Sequence, residues 1–544
     1  MKKAISIKTF LISVLALLLS EYSFSQVTQQ WVARYNGTGN TADIPGTMVL
    51  DNSGNIYVTG RSQLGAFNDF ATVKFNSSGV LQWAAKYNGT GNVDDEARAI
   101  AVDGSGNVYV TGNSYSTAIN SDFVTIKYNS NGDSVWVKKY DYFASYDAAT
   151  SIAVDNFGNV YVTGGSGSSA GDYATIKYNS NGDSLWVRRF NGPGFGEDLA
   201  TSLLLDDSNN VYVTGVAFPG NFATVKYNTA GVLQWSAIYN APVAVSNGET
   251  TVMSDLDQSH NIYITGRSMG SGTNYDIATV KYNSAGVQQW AARYNGPGNN
   301  LDFPYGIKAD GSGNVYVTGR SDGSGTGYDF VTVKYNLTGD QQWAARYTSA
   351  GARGEYATSI DVDGFGNVYI TGIMDDNGTS LDFTTIKYNS AGDQLWMKRY
   401  DNGQGINGSD AACSIVLDNS GNIFVTGASV QTGNGEDFCT VKYIQSVGIH
   451  QISSAVPEQF SLSQNYPNPF NPSTKIRFEI SEPSQTKLYV YDALGSEVAN
   501  IVNEKLQPGS YEAEFNASNL SSGAYFYKLE SNGFSETKKM FLIK

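Results

Sequence analysis

The chain has 544 residues and 50 acidic against 35 basic side chains, for a net charge of −15. That length points to several domains or a repeat array, and an acidic chain without Lys/Arg clusters excludes a phosphate backbone as partner. A hydrophobic content of 41% with 36 tyrosines excludes a disordered chain, while 59 glycines suit turn-rich all-β structure.

At the N-terminus, Met1-Lys2-Lys3 precedes an apolar run that is densest from Phe10 to Leu19, followed by Ser23-Phe24-Ser25. This predicts a signal peptide over residues 1–25, cleaved near Ser25/Gln26. The run is shorter than the ~20 residues of a membrane span, and no later stretch reaches that length.

From residue 26 to 444 one unit repeats. A decapeptide of the form DGSGNVYVTG starts at Asp51, Asp103, Asp155, Asp206, Asp257, Asp310, Asp363 and Asp418. Trp31, Trp83, Trp136, Trp186, Trp235, Trp290, Trp343 and Trp396 recur at gaps of 49 to 55 residues. Each unit shows four short β-rich runs, called a to d here: SIAVD, VYVTG, YATIKY and SLWVRRF in the third. The a–b link is D-x-x-G-N and the c–d link N-x-x-G, both short hairpin turns. Runs b and d are apolar or aromatic at most positions, as in sheets covered on both faces. A four-stranded antiparallel unit of this period is a propeller blade.

The first repeat element is a lone d strand around Trp31, and the last unit ends after c. The two incomplete ends are complementary, so an eight-bladed β-propeller closed by the N-terminal strand is expected. An open solenoid would leave both ends unpaired. The G-N-V-Y-V-T-G and K-Y-N-x-x-G-x-x-x-W elements resemble the SBBP family of bacterial β-propeller repeats. That resemblance implies the fold and carries no catalytic residues.

Residues 445–458 read as a linker. From Pro457 onward the composition shifts, with six of the twelve prolines. KIRFEI, TKLYVYD and YEAEF alternate apolar and polar positions, which predicts a small Ig-like β-sandwich over residues 459–544. The stretch Asn465-Tyr466-Pro467-Asn468-Pro469-Phe470-Asn471-Pro472, then V-Y-D-x-x-G, S-G-A-Y-F-Y and a terminal K-K-M, resembles the type A C-terminal sorting domain of type IX secretion. The resemblance implies export through the outer membrane, the type IX machinery as partner, and a secreted or surface location.

Chemistry is sparse. His260 and His450 are the only histidines, so a Ser-His-Asp triad or a His-ligated zinc site is not expected. Cys413 and Cys439 fall two strands apart in one blade, too far for a disulfide. One pattern stands out. Eight residues before each turn aspartate stands a carboxylate: Asp43, Asp95, Asp147, Asp198, Glu249, Asp302, Glu355 and Asp410. A second series precedes strand c: Asp69, Asp122, Asp172, Asp276, Asp329, Asp382 and Asp437, with Asn221 in the fourth unit. The first series could ring a channel mouth and bind a cation; oxygen-only ligands would suit calcium. The competing and favoured reading is that the carboxylates cap backbone N–H groups or pair with the basic residues of strand d. Those recur in every unit except at Ile238. No other cofactor is expected.

The tryptophans fit inter-blade packing better than sugar stacking. Phe67, Tyr115, Tyr142, Phe143, Phe195, Phe218, Tyr275 and Tyr328 lie in the variable b–c and d–a loops and are the ligand-face candidates. The expectation is a monomeric, non-enzymatic binding or scaffold protein with an extracellular protein or glycan ligand. A carbohydrate-active lyase or hydrolase using loop-face carboxylates, or a purely structural adhesion protein, are the alternatives.

Overall fold

The protein is described from a computed structural model. It covers residues 27–544 except 92, 118–119, 144, 168–170, 195, 244–251, 350–353, 376–380, 403–408, 432–434, 446–448, 454 and 518–519. The signal-peptide segment, Phe195 and Glu249 therefore lie outside the described residues. Among the described residues all forty elements are β-strands, and they fall into two compact units, one over Gln29–Tyr443 and one that includes Ile444–Lys544.

The larger unit is a β-propeller of four-stranded antiparallel sheets. Seven of them are consecutive meanders over residues 43–87, 95–140, 147–190, 199–239, 253–294, 302–347 and 356–400, numbered sheets 1 to 7. Sheet 8 holds Asp410–Leu417, Ile423–Val430 and Glu436–Gln445, and the N-terminal strand Val27–Tyr35 is its fourth member beside Glu436–Gln445. Strand a of each sheet packs against strand a of the next, and that of sheet 8 against that of sheet 1. This is the arrangement expected of a ring closed by the N-terminal strand.

The repeated decapeptide builds each hairpin. Asp51 Oδ1 accepts the N–H groups of Ser53 and Asn55, both at 2.9 Å, while Oδ2 accepts Asn55 Nδ2 at 2.7 Å and the Tyr57 hydroxyl at 2.9 Å. One carboxylate thus satisfies the turn and fixes the first residues of strand b. Thr59 bonds Thr72 across to strand c at 2.9 Å, with both hydroxyls fully buried. Gly60 faces a bulge in strand a between Pro45 and Thr47. A Cβ there would stand 2.2 Å from the Ile44 carbonyl oxygen, so only glycine fits.

The tryptophans join neighbouring sheets. Trp83 Nε1 donates to the Ser130 carbonyl of sheet 2 at 3.1 Å, and its ring lies on Gly132 of the c–d turn. Trp31 does the same from sheet 8 to Ser77 and Gly79 of sheet 1. The residue types that recur once per unit therefore serve packing between sheets.

The second unit is a sandwich of two four-stranded antiparallel sheets around one apolar core that includes Phe470, Ile476, Leu488, Val490 and Tyr527. Part of the expected linker belongs to it. Ile449–Ser453 pairs antiparallel with Gly509–Asn516 and covers what would otherwise be an open sheet edge. Both cysteines are free; Cys439 is fully buried opposite Gly427, and Cys413 Sγ lies 3.4 Å from the Thr426 carbonyl.

Candidate functional site

The two faces of the propeller differ in kind. On one face every a–b and c–d turn is closed by its own Asp or Asn; Asn76 Oδ1, for example, accepts Ser78 N–H at 3.1 Å and Val80 N–H at 2.9 Å. The b–c and d–a connections emerge on the other face, and they differ in length from sheet to sheet.

The first carboxylate series lies beneath that loop face, not on it. Asp43, Asp95, Asp147, Asp198, Asp302, Glu355 and Asp410 are all buried. Each accepts a backbone N–H from the preceding d–a loop: Gly37 to Asp43 and Gly89 to Asp95 at 2.5 Å, Tyr142 to Asp147 and Gly296 to Asp302 at 2.7 Å. Asp198 bonds Gly192 at 2.5 Å, Glu355 bonds Ser349 at 3.0 Å and Asp410 bonds Asn402 at 3.1 Å. The carboxylates act as anchors for the loops.

In five sheets the second series takes the basic residue of strand d in the same sheet, whereas Arg34 of sheet 8 bonds Tyr400 and Ser429. Arg189 reaches Asp172 at 3.1 Å, Arg293 Asp276 at 2.8 Å, Arg346 Asp329 at 2.5 Å, Arg399 Asp382 at 2.6 Å and Lys139 Asp122 at 3.7 Å. The two irregular positions, Asn221 and Ile238, belong to one sheet, so sheet 4 lacks both partners at once.

The two series approach each other between sheets. Burial pushes the Asp437 carboxyl up to about 6, with repulsion from Asp43 of sheet 1 adding to it against the pull of Arg34. Burial likewise pushes Asp410 up to about 6, opposed by Ser429, Asn402 and Arg34 and reinforced by Asp382. At the sheet 7–8 boundary a third carboxylate joins: ligand oxygens of Asp382, Asp401 and Asp410 lie within 4.8 Å of one another. Three carboxylates supply three to six of the six to eight oxygens that calcium takes, and Arg399 already bonds Asp382. Asp401 was not legible as a site residue; its signal is an Asp where most units have Asn after strand d.

The loop aromatics divide. Phe143 is 86% exposed, at φ 58°, and packs edge-on against Tyr142, which lies under Arg189 at 3.8 Å. Phe67 is exposed, and Tyr115 sits 6.4 Å from Tyr146, its hydroxyl raised to about 12 by burial. Phe218 is half-buried, its N–H bonded to Asp198. Tyr275 and Tyr328 come together with residues that the repeat pattern alone did not single out. Arg267 lies over Tyr275 at 5.0 Å and over Phe303 at 5.3 Å. Arg320 lies over Phe303 at 4.5 Å, Tyr328 at 4.4 Å and Tyr305 at 5.9 Å. The available signal was an arginine directly after the V-T-G or I-T-G glycine, found also at Arg61.

In the second unit the proline-rich motif has two inward and several outward residues. Asn465 is buried; its N–H donates to the Tyr527 hydroxyl at 2.8 Å and its amide donates to Thr474 at 2.9 Å. Phe470 enters the core, and its N–H donates to the Phe541 carbonyl at 2.9 Å. Asn468 accepts the Phe541 N–H at 3.0 Å. Tyr466, Pro467, Pro469, Asn471 and Pro472 face outward.

Residues 464–544 match the family described as secretion system C-terminal sorting domain. Residues 82–120, 143–169 and 289–325 match the β-propeller repeat family SBBP. Comparison with curated proteins returns no match. Among solved structures, a polysaccharide lyase of family PL25, an ulvan lyase, is 12% identical over 76% of this chain and 95% of its own, at a TM-score of 0.40. A fungal alcohol oxidase of the AA5 family is 13% identical over 82% and 96%, at 0.36. A protein of unknown function from Dyadobacter fermentans is 8% identical over 77% and 99%, at 0.37. The chain carries SBBP β-propeller repeats and ends in a type IX sorting domain, the tail of proteins exported to the cell surface or the extracellular space.

Proposed function

We propose that this is an exported, non-enzymatic binding protein whose propeller holds its variable b–c and d–a loops toward an extracellular ligand. The observation that supports it is the contrast between faces: uniform, self-bonded turns on one, and connections that differ in length and sequence from sheet to sheet on the other. The ligand class is glycan or protein, and the reading requires no cofactor. Calcium is the ion to test at Asp382, Asp401 and Asp410, through a calcium-dependent melting shift.

A glycan array probed with the full chain tests the reading, repeated with Tyr115→Ala and Phe143→Ala. Capture of a glycan class that weakens in either variant supports it. Capture unaffected by any loop-face change overturns it.

A second reading is a carbohydrate-active lyase or hydrolase. It is favoured by the Asp382–Asp401–Asp410 group, where Asp410 titrates near 6 beside other carboxylates. Chain shortening of a polysaccharide by the full chain, abolished in Asp401→Asn, would establish it in place of the first.

A further inference from the structure

We infer that Arg320 is the anion-binding centre of a saccharide site on the loop face, and that its ligand is an acidic sugar bearing a carboxylate or a sulfate. The inference rests on the binding reading above and names its ligand chemistry.

The argument begins with three arginines at one repeat position. Arg61, Arg267 and Arg320 each follow the V-T-G or I-T-G glycine of strand b. The residue after the strand-a carboxylate of the next sheet is the neighbour each could meet. For Arg61 that residue is Glu96, and the two pair at 3.5 Å. For Arg267 it is Phe303, and for Arg320 it is Tyr356. Glu96 thus pairs with the first arginine, while Arg320 lies among aromatic rings.

Arg320 has no hydrogen-bond or ion-pair partner among the described residues, and its Nε is buried. Its guanidinium is held by Phe303, Tyr305 and Tyr328, at 4.4 to 5.9 Å from their ring centroids. Such contacts orient the planar group without using its five donors, which leaves a fork suited to bidentate contact with an oxyanion. Arg267 bears on the same Phe303 ring from the sheet 5 side. The Arg320 guanidinium, without an ion-pair partner among the described residues, is a local cation in a chain of net charge −15. Tyr275, Tyr305 and Tyr328 remain half-exposed, so ring faces and hydroxyls stand beside the cation. A flat partner with one apolar face and hydroxyl edges fits that combination, and a charged sugar unit supplies it together with the anion.

The test is calorimetry of the full chain, in EDTA, with an oligogalacturonate, a sulfated oligosaccharide and a neutral oligosaccharide of equal length. Binding of an acidic probe over the neutral one, weakening as salt rises, is expected. Arg320→Ala should weaken it at least tenfold with the melting temperature unchanged, and Arg320→Lys should restore only part of it. The stronger acidic probe identifies carboxylate or sulfate as the anion. Equal binding of the neutral probe, or acidic binding untouched by Arg320→Ala, overturns the site and leaves the loop-face reading standing. Binding of none of the probes also overturns it, and the loop-face reading is then decided by its own array.

Discussion

Asn221 and Ile238 stand in one sheet, at the two positions where five other sheets hold a carboxylate bonded to an arginine or lysine. Sheet 4 has exchanged both partners, and a buried charge is nowhere left alone by the exchange. Removing one member of a buried pair strands the other, whereas replacing both by neutral groups is far cheaper. Arg346→Ile should therefore cost about 3 kcal/mol, because Asp329 is 2% exposed and bonded to Arg346 at 2.5 Å. The double variant Asp329→Asn/Arg346→Ile, which copies sheet 4, should lie within about 1 kcal/mol of the parent. Chemical denaturation of the three proteins gives the coupling; additive losses would refute it.

Deleting residues 27–36 removes the strand that bonds to Glu436–Gln445 and the Trp31 contact with sheet 1. An edge of sheet 8 is then bare, and its core loses Ala33. The deletion should lower the melting temperature and promote aggregation measured by light scattering. An unchanged melting curve would count against the role of this strand.

Much of this was legible because the repeat writes local rules eight times. The D-x-x-G-N turn, the b-strand threonine and the tryptophan each act within a hairpin or on the next turn, so spacing alone exposes them. Two things were not legible. The carboxylates before strand a look like a ring in sequence, but each described one is used by a loop N–H five to eight residues upstream, a contact set by how the d–a loop folds back. Arg320 met its aromatic neighbours only through register, since Phe303 lies opposite it across the ladder and Tyr328 on the following strand. Ile449–Ser453 was hidden for a similar reason, its partner strand lying some sixty residues later.

Two turn glycines, Gly339 of a c–d turn and Gly65 of the b–c turn of sheet 1, separate two costs. Gly339 has φ +87°, and a Cβ there would come within 2.6 Å of the Trp290 ring. Gly65 has φ +69° with open space around it. Gly65→Ala should cost about 1 kcal/mol from backbone conformation alone. Gly339→Ala should cost about 2–4 kcal/mol, since the inter-sheet tryptophan must also move. Equal losses in urea denaturation would show that the tryptophan seat carries little of the packing.

Removing residues 459–544 takes away all but the Ile449–Ser453 strand of the unit whose residues 464–544 match the sorting domain. The propeller has its own buried clusters between neighbouring sheets and should fold without it. The truncated protein should accumulate inside the outer membrane, detected by immunoblot of cell fractions against medium. Its normal release into the medium would contradict the assignment of the tail.

The last expectation concerns pH. Asp410 and Asp437 are raised to about 6 in the fold, mainly by burial, each with a second carboxylate nearby, Asp382 and Asp43, and with Arg34 opposing both. In the unfolded chain they titrate near ~3.9. A carboxyl raised by folding stabilises the native state fully below its unfolded value and loses that contribution as pH rises through its folded value. The window is therefore about pH 4 to 7, with the native state favoured on the acidic side. The turn carboxylates Asp51, Asp103 and Asp206 work in the opposite direction. Burial would raise them, but hydrogen bonds from Asn and Tyr or Ser neighbours hold them below their ordinary range, so their contribution is lost only at lower pH. Solvent screening trims the effect of the first two, and a fall of roughly 2–4 °C in melting temperature from pH 5 to pH 7.5 is expected from them. Asp410→Asn/Asp437→Asn mimics the protonated forms and should flatten that fall, raising the melting temperature at pH 7.5 and leaving it nearly unchanged at pH 5. A double variant that melts lower at both pH values would show that the two carboxylates serve the fold in their charged form.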